Sequence, residues 1–452
     1  MKCKAEGQIL VWLLGLAAML GIPHVAGAAQ DEGEFVLRCS PKEIHEIVRR
    51  HGLTLLRSHE SQDIHLVRAP ASPPPQQVLS DVRSDPKVLG IEPNRNVIVP
   101  EAAQGLQLNL STADILDRLG NATVVPFFGS QVLSSYVTQP AVVLTRSTEA
   151  HQFFATGAGI VAVIDTGVDP NHPVLKASLV PGFDFTRNLP GIPSEFADLG
   201  QSTASILDQS TASILDPWRV VVLNQSTAPI LNQSTASILD TRQLPQEFGH
   251  GTMVAGIIHL VAPTALIMPL KAFKADGTSN LFDILRAIYY AVDHGARVIN
   301  MSFSTEQRSA AMGRAMNYAG SRGVICVSSV GNKGARLRVY PAAFDYVFGV
   351  GSTSNRDTRS TFSDFGDDVQ LAAPGEGIIT TYPGGHYAAA WGTSFSTAFV
   401  SGGAALLLQM NMRTNSDTAA DALGNAKGLP AALGLGEGRI DLYRALSSMK
   451  QP

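Results

Sequence analysis

The sequence has few cysteines and few charged residues. Only 3 of its 452 residues are cysteine, and charged residues make up 16% of the chain with a formal net charge of −4. Cys3 falls in the first 28 residues and Cys39 in a separate N-terminal region, so the rest of the chain holds Cys326 alone and is predicted to have no internal disulfide. The near-neutral charge balance gives no reason to expect a nucleic acid as partner. The 45% hydrophobic content is enough for a large core.

Long hydrophobic runs are also scarce. Ile9–Leu20 is too short to span a bilayer comfortably, and Ala398–Leu408 is shorter still. The first run follows a short basic start and precedes the small residues Ala26-Gly27-Ala28, which is the arrangement of a cleaved export signal over residues 1–28. An uncleaved membrane anchor is the alternative. We therefore expect an exported protein, extracellular or periplasmic, with no membrane span after removal of the signal.

A serine stands where a buried helix is predicted to begin. Gly392-Thr393-Ser394 comes just before the apolar run that ends at Leu408. A serine at the start of a helix is either an N-cap or a nucleophile whose developing negative charge is favoured by the helix N–H groups and dipole. This stretch alone favours the N-cap, and only partner residues elsewhere in the chain can reverse that preference.

Two upstream stretches supply such partners, a base and a carboxylate that orients it. Asp165 ends the apolar, β-branched strand Gly159–Ile164, at a position where α/β sheets display functional groups. His250 stands at the start of another predicted helix. Taken singly, Asp165 is more often a turn former and His250 a satisfied polar residue. Together with Ser394 they follow the chain order Asp, His, Ser, which one class of serine protease uses.

Asn332 completes a set that resembles a known family. It follows the strand Gly323–Val327, where an amide can donate to an oxyanion, although a turn is its simpler interpretation. The motifs around these residues resemble those of the subtilisin-like serine proteases, the subtilases. In family order they are Val163-Ile164-Asp165-Thr166-Gly167, His250-Gly251-Thr252, Val298-Ile299-Asn300-Met301-Ser302, Gly331-Asn332 and Gly392-Thr393-Ser394. The match covers roughly residues 155–190 and 247–445, which is most of the chain.

The resemblance implies a mechanism and a fold. Ser394 would attack a peptide carbonyl, and His250 would take the serine proton and pass it to the leaving amine. Asp165 would orient the imidazole, while Asn332 and the Ser394 N–H would stabilise the oxyanion. The implied fold is α/β, a subtilisin-like parallel sheet with helices on both faces. The regular alternation of helix and strand patterns after His250 predicts the same architecture. The implied activity is that of a serine endopeptidase on protein or peptide substrates.

Two more segments resemble those that hold an extended substrate in the family. They and the oxyanion turn contain the substrate-binding candidates Gly277, Thr278, Ser302, Phe303, Ser304 and Gly331. Ser304 stands where the family often has glycine, which suggests a narrowed first pocket for small side chains. Lys333, beside the oxyanion Asn, suggests instead a preference for an acidic side chain.

Residues 34–100 form a separate unit ahead of the catalytic candidates. Alternating strand and helix patterns predict a small α+β domain, with a first helix capped by Ser40 and Glu43 and a second that begins near Pro75. In its length and its Ile91-Glu92-Pro93-Asn94 ending, the unit resembles the inhibitory propeptide of many subtilases. This resemblance implies a self-processed zymogen with its own propeptide as an intramolecular inhibitor. A plain accessory domain is the alternative.

Residues 101–150 are assigned to a connector and residues 151–450 to the catalytic domain, which carries an unusual insertion. Four near copies of Gln-Ser-Thr-Ala-Ser-Ile-Leu-Asp fill residues 201–216 and 225–240, around one octapeptide, 217–224, that lacks the pattern. Because they stretch the separation of Asp165 and His250 to 85 residues, we expect a surface loop near the cleft. A lid or partner-binding arm is the functional interpretation, and a tolerated expansion is the simpler one.

No metal or other cofactor is predicted. The helix after His250 leaves no room for the calcium loop that many relatives carry, and no EF-hand pattern occurs. Asp364, Asp367 and Asp368 offer a weak cation site, for which a solvated turn is the favoured interpretation. Calcium binding is thus left open but without support.

Two function classes remain from the sequence. The first is an exported serine endopeptidase, and the second is a binding protein on an inactive protease scaffold that uses the repeat arm. The intact set of Asp165, His250, Asn332 and Ser394 favours the first. An esterase would need a Gly-x-Ser-x-Gly elbow followed by an Asp, which Gly392–Ser396 does not supply.

Overall fold

A computed structural model describes residues 33–99, 123–199, 220–222 and 244–450. The strands are β1 Glu34–Arg38, β2 Thr54–His59, β3 Ile64–Arg68, β4 Gly90–Pro93, β5 Asn96–Ile98, β6 Val124–Phe127, β7 Ser130–Leu133, β8 Ile160–Asp165, β9 Gly182–Asp184, β10 Leu189–Gly191, β11 Val220–Val222, β12 Leu266–Lys271, β13 Thr278–Asn280, β14 Ala296–Met301, β15 Ile325–Ser329, β16 Val347–Thr353, β17 Leu371–Pro374, β18 Ile378–Tyr382 and β19 His386–Ala390. The α-helices are α1 Ile44–Arg50, α2 Pro75–Arg83, α3 Ser134–Thr138, α4 Pro140–Thr145, α5 Ser147–Phe153, α6 His250–Val261, α7 Leu281–Asp293, α8 Ala310–Ser321, α9 Thr393–Met410, α10 Ser416–Leu423 and α11 Leu442–Ser448. The predicted export signal and the octapeptide repeats lie outside the described residues.

The centre of the molecule is an eight-stranded sheet in the order β10-β9-β12-β8-β14-β15-β16-β17. Its strands run parallel except for the edge strand β10, which is antiparallel to β9. Along β8, Val161 and Val163 pack into one hydrophobic cluster with α6 and α9, while Ala162 and Ile164 pack into another with α7 and α8. Strands covered on both faces need nearly continuous apolar sequence, which β8 has. The predicted α/β class is confirmed.

The N-terminal domain is a four-stranded antiparallel sheet, β2-β3-β1-β4, with two helices. Strand β2 was not predicted from the sequence. The predicted cap of the first helix was wrong: α1 begins at Ile44 after the N-cap Glu43, and no side chain caps it. The main-chain oxygen of Ser40 instead accepts from the Glu43 N–H at 2.9 Å, so a tight turn occupies the place of the predicted capping box.

Residues 124–150, which the sequence analysis assigned to the connector, pack with residues 151–153 as part of the main body. The β6–β7 hairpin and helices α3 to α5 pack against it through the buried side chains of Val132, Leu133 and Tyr136. Tyr136 Oη donates to the Gly256 carbonyl at 2.5 Å. The side-chain amide of Gln139 both donates to and accepts from the main chain of Ile379, at 2.7 and 2.9 Å. The main body therefore begins well before residue 151.

One strand of the repeat region is described. Val220–Val222 pairs in parallel with Tyr387–Ala389 of β19, which in turn pairs with β18. It falls within the single octapeptide that lacks the repeat pattern. Among the described residues, no helix combines the length and the apolar character that crossing a bilayer requires.

Candidate active site

Asp165 and His250 form a buried pair at the carboxyl end of the central strand β8. The Nδ1 atom of His250 lies 2.7 Å from Asp165 Oδ1, and each side chain is 1% exposed. The Thr166 N–H donates to the same carboxylate oxygen at 2.7 Å. Because an ionised carboxylate only accepts hydrogen bonds, this contact places the imidazole proton on Nδ1.

A glycine lets the His250 helix approach the Asp165 turn this closely. His250 is the first residue of α6 and Gly251 the second. A Cβ atom on Gly251 would lie 2.1 Å from the Gly167 carbonyl oxygen and 3.2 Å from the Asp165 carboxylate. Any larger residue at position 251 would push the helix start away from Asp165, because such short separations are forbidden by van der Waals contact.

Ser394 is the second residue of the 18-residue helix α9 and is fully buried. The N-cap of this helix is Gly392, and no side chain caps it, so the N-cap interpretation of Ser394 does not hold. Ser394 Oγ donates to the Ser302 carbonyl at 3.3 Å. The ring of the next residue, Phe395, lies 5.7 Å from the His250 ring, so the starts of α6 and α9 adjoin.

Asn332 follows β15 and reaches the same helix start. Its Oδ1 accepts from the Thr393 N–H at 3.0 Å and from Thr393 Oγ1 at 2.8 Å. These two donors fix which side of the planar amide faces the helix, and they leave Nδ2 on the opposite side. The structure thus brings the four predicted residues together where strand ends meet the starts of α6 and α9.

The chain resembles known proteins in sequence over this same region. A model of the subtilase family matches residues 157–437. The chain belongs to the subtilase family of serine proteases. This subtilase is 30% identical to thermitase of Thermoactinomyces vulgaris over 309 residues, which is 65% of the chain and 90% of thermitase. It is 32% identical to a thermophilic serine proteinase of Bacillus sp. strain AK1 over 55% of the chain, and spans 51% of that relative's length.

Two solved structures support the fold assignment. Fervidolysin from Fervidobacterium pennivorans matches with a TM-score of 0.65 at 22% identity, over 92% of the subtilase chain and 61% of its own. The epidermin leader peptide processing serine protease of Staphylococcus aureus matches with a TM-score of 0.63 at 18% identity, over 93% and 99%. The predicted subtilisin-like fold is therefore confirmed.

In this subtilase, a strand of the N-terminal domain lies between the two predicted substrate segments. Asn96–Ile98 pairs antiparallel with Thr278–Asn280, and Ile98 also bridges Ser304 on the other side. The Val99 N–H donates to the Gly277 carbonyl at 3.0 Å. Such main-chain pairing is how an extended peptide adds to an exposed strand edge. Residues 96–99 thus fill the groove that the sequence analysis assigned to substrate.

The other predicted substrate residues differ in position. Phe303 is fully buried with its ring 5.1 Å from Phe273, so its side chain packs in the interior and does not line the groove. Ser302 is also buried, and its Oγ donates to the Ser394 carbonyl at 3.3 Å. Gly331 has φ +100°, and a Cβ there would meet the Asp364 carboxylate at 2.4 Å. That position needs glycine because the turn and the close carboxylate leave no room for a side chain.

A cavity adjoins Ile98 on the Asn332 side of the groove. Ser304 and Lys333 line it, together with Glu306. The Lys333 ammonium forms an ion pair with Glu306, and each of these side chains is 52% exposed. The cation that suggested an acidic preference therefore already has a carboxylate neighbour, Glu306, which the sequence analysis did not consider.

Two supporting residues escaped the sequence analysis. Asn300 Nδ2 donates to Ser302 Oγ at 2.9 Å, and Asn300 Oδ1 accepts from Ser401 Oγ at 2.8 Å, which ties β14 to the Ser394 helix. Asp364 Oδ1 accepts from the Lys333 N–H at 3.0 Å and the Ala335 N–H at 2.9 Å, which shapes the Asn332 turn. Asn300 lies inside a quoted motif, whereas no sequence signal distinguished Asp364 in this role.

The three carboxylates considered as a cation site have separate partners. Burial raises the pKa of the Asp364 carboxyl, whose hydrogen bonds go to the backbone. Asp367 pairs with Arg336 at 2.6 Å and Asp368 with Arg338 at 3.0 Å. Within the part of the chain that the structure describes, no group of three or more His, Cys, Asp or Glu side chains is arranged to hold a metal ion.

Proposed function

We propose that the protein is an exported serine endopeptidase that cleaves peptide bonds through an acyl-enzyme and is made as a self-processed zymogen. The observation that carries this proposal is the buried 2.7 Å contact of Asp165 and His250 beside the Ser394 helix start. Family membership adds to it, because the matched region contains all four candidates.

The proposed mechanism follows from the proton positions. Since Nδ1 of His250 donates to Asp165, Nε2 is the nitrogen that can take the Ser394 proton during attack on the carbonyl. The resulting imidazolium passes that proton to the leaving amine, and its charge is stabilised by the buried Asp165 carboxylate. A water molecule then attacks the acyl-enzyme by the same route and frees Ser394.

The tetrahedral intermediate carries a negative oxygen that needs donors. Asn332 Nδ2 and the Ser394 N–H are the proposed donors, and the positive end of the α9 dipole favours the same charge. The bonds from Thr393 to Asn332 Oδ1 support this role, because they hold the amide in one orientation before substrate binds.

The N-terminal domain is proposed to be the intramolecular inhibitor. Its strand β5 fills the groove, and polar contacts from other parts of the domain hold the domain to α7 and α8. Asn94 Oδ1 accepts from the Phe282 N–H at 3.0 Å, Glu92 Oε1 accepts from the Ala311 N–H at 2.7 Å, and Arg57 pairs with Asp283 at 3.1 Å. Two of these contacts satisfy orphan N–H groups in the first turns of the helices, where negative charge is favoured. Export of the zymogen is proposed from the sequence of residues 1–28.

Specificity in the first pocket is proposed to favour small side chains. Ser304 adds bulk where relatives often have glycine, and Glu306 offsets the Lys333 charge that would attract an acidic residue. Cleavage of a mixed peptide library measures this preference. Predominant cleavage after acidic residues would favour the Lys333 hypothesis, and predominant cleavage after bulky aromatics would contradict both.

The decisive test compares the chain without residues 1–28 with its Ser394→Ala variant. We expect the native chain to shorten itself and digest casein, and Ser394→Ala to do neither, with Ser321→Ala as an exposed serine control that behaves like the native chain. The new N-terminus would locate the maturation site. If neither native chain nor variant cleaves casein, even after another protease removes residues 34–100, the inactive-scaffold alternative gains support.

A further inference from the structure

Glu195 is a fully buried carboxylate beside the Asp165–His250 pair that the mechanism above does not use. It opens the short 3₁₀ helix Glu195–Asp198. Three donors converge on it: Thr166 Oγ1 at 2.5 Å, the Gly251 N–H at 3.1 Å, and Thr252 Oγ1. Burying a carboxyl costs free energy unless it is well hydrogen-bonded. The three donors offset this cost and hold the Glu195 side chain in place.

The three donors flank the two members of the pair. Thr166 follows Asp165 directly, and its N–H binds the Asp165 carboxylate at 2.7 Å. Gly251 and Thr252 follow His250 at the start of α6. The Gly251 N–H also reaches Thr166 Oγ1 at 3.0 Å, which closes a ring of hydrogen bonds. Through this ring a single carboxylate fixes the distance between the Asp165 turn and the His250 helix.

Charged and titratable groups surround Glu195 on every side. Asp165, Lys271, Tyr382 and the His250 helix start face it, and Asp198 follows on its own segment. The buried Lys271 ammonium donates to the Thr166 carbonyl at 2.5 Å and pairs with Asp198 at 2.7 Å. Burial raises the pKa of Glu195 to about 7, against the opposing effects of the Thr166 and Thr252 hydroxyls and of Lys271. Glu195 is therefore protonated more readily than an exposed carboxyl as the pH falls.

We propose that Glu195 is a positioning residue that sets both the geometry and the basicity of His250. Its hydrogen bonds hold Asp165 and His250 in register, and its negative charge stabilises the imidazolium form of His250. The proposal rests on the proposed function, because it assigns His250 the role of base. It predicts that acid inactivates the enzyme through two coupled groups, His250 and Glu195, and not through His250 alone.

Two substitutions separate the geometric part from the charge part. Glu195→Gln keeps the shape and one carbonyl acceptor but removes the charge, and Glu195→Ala removes the hydrogen bonds as well. Asp441→Asn is the matched control, because Asp441 is also a buried carboxylate and caps α11 by accepting from the Arg444 N–H at 3.0 Å, outside the active site.

The first measurement is the pH profile of kcat and KM for the mature enzymes. Glu195→Ala should lower kcat about 100-fold with KM nearly unchanged, which is the cost of a misplaced catalytic group. Glu195→Gln should lower kcat less, and its acid limb should follow one proton where the native limb is steeper. If both variants match Asp441→Asn in kcat, KM and profile, while melting temperatures alone change, Glu195 is merely structural and the proposal fails.

The second measurement does not depend on activity. In the Ser394→Ala background, NMR titration of the His250 ring should give a pKa about 0.5 to 1 unit lower with Glu195→Gln than without it, because a nearby negative charge is lost. Asp441→Asn in the same background should leave the His250 pKa unchanged. An unchanged His250 pKa with Glu195→Gln would overturn the inference, whether or not the native chain cleaves casein. Conversely, loss of the proposed function alone would leave this pKa shift in place.

Discussion

The two parts of the molecule bury their sheets differently. The central sheet is covered on both faces by its own helices, and β8, β15, β16 and β17 are buried along almost their whole length. The sheet of the N-terminal domain covers one face itself, with Phe35 and Leu37 against α1 and α2. Its other face, which includes Val36, Ile64 and Leu66, packs in a cluster with α7 and α8 of the main body. The N-terminal domain thus buries the second face of its sheet only against the main body of the same chain.

This difference indicates that the N-terminal domain depends on the main body to bury one face of its sheet. With only 67 described residues, 33–99, it is near the size at which a single core supplies little stability. Surface ion pairs such as Lys87 with Glu43 and Glu46 add little, because exposed pairs contribute roughly 0–1 kcal/mol each. This dependence on the main body agrees with the inhibitor role proposed above for the N-terminal domain.

The largest expected effect lies on the catalytic side. Asn332→Ala should lower kcat by about 100- to 1,000-fold, because it removes one oxyanion donor while the Ser394 N–H stays. Steady-state cleavage of a peptide substrate by the mature variant measures this. Asn425→Ala, which removes an exposed amide just after α10, is the control. A variant with KM raised and kcat intact would mean that Asn332 binds substrate and does not stabilise the oxyanion.

The second prediction concerns the acid stability of the main body. His259 of the main body is buried, its Nδ1 lies 3.2 Å from Ser178 Oγ, and the described residues give its Nε2 no hydrogen-bond partner. Burial lowers the pKa of His259 to about 4 from its ordinary 6.5. Below pH 6.5 the unfolded chain therefore binds a proton at His259, whereas the folded chain does not bind it until the pH nears 4. The free energy of unfolding consequently decreases as the pH falls from 6.5 toward 4.

Replacing that histidine should remove its share of the acid sensitivity. Between pH 7.5 and 5, His259→Leu should lose about 2 kcal/mol less unfolding free energy than the native chain. Urea unfolding of the Ser394→Ala protein at the two pH values measures the difference. The exposed His294→Leu should change it little. Equal acid sensitivity in native and His259→Leu proteins would show that other groups control it. In the N-terminal domain, burial also lowers the pKa of His65, but its ring nitrogens both have contacts, to Ser58 Oγ at 2.9 Å and the Cys39 carbonyl at 3.2 Å.

The third prediction tests how the small domain depends on its partner. Val97 of β5 is buried in the cluster shared with the main body. Val97→Ala should weaken inhibition by the N-terminal domain, added in trans to mature enzyme, by about 10- to 100-fold, which corresponds to a loss of about 1.4–2.7 kcal/mol of apolar burial. Leu89→Ala, an exposed residue of the same domain, is the matched control. Equal inhibition by both variants would mean that β5 contributes through its backbone alone.

The smallest expected effect is at a polar contact. Arg57 pairs with Asp283 across the interface, but its side chain is 42% exposed. Arg57→Ala should therefore weaken inhibition only about 2- to 5-fold, and less at high salt, because solvent screens the pair. Inhibition constants at low and high ionic strength measure this. A salt-independent loss larger than that of Val97→Ala would place the interface energy in charges and reverse the comparison.

The sequence predicted those features that leave a pattern in neighbouring residues, such as periodic helices and the ends of apolar strands. Asp165, His250 and Asn332 each lie near the end of an apolar strand or at the start of a helix, and parallel-sheet geometry brings such ends to one edge. Taken singly, each of them had a simpler interpretation, and the order of the motifs shared with the subtilases selected the set. Periodicity also located most helices from α6 onward. Apolar runs and helix periodicity are local signals, which can be recognised without knowing which residues pack against them.

What escaped prediction depends on distant contacts. Strand β2 has mixed exposure and little alternation, so its pairing with β3 leaves no local pattern. The side chain of Phe303 packs against Phe273 and not in the groove, and this contact joins residues that follow two different strands. Glu195 lies 55 residues before His250, with the repeats between them. No sequence pattern therefore predicted its position beside Asp165 and His250.

The strand Val220–Val222 has a consequence for how this gene can change. It pairs with β19 between two copies of the octapeptide on its N-terminal side and two on its C-terminal side. Gain or loss of one copy on either side changes the chain by eight residues and leaves the sequence of the strand itself unaltered. Because the entropic cost of closing a loop grows slowly with its length, by about 0.6 kcal/mol per doubling, we expect a change in copy number to cost little stability. Related sequences that differ in the number of copies should therefore keep the pairing of Val220–Val222 with β19.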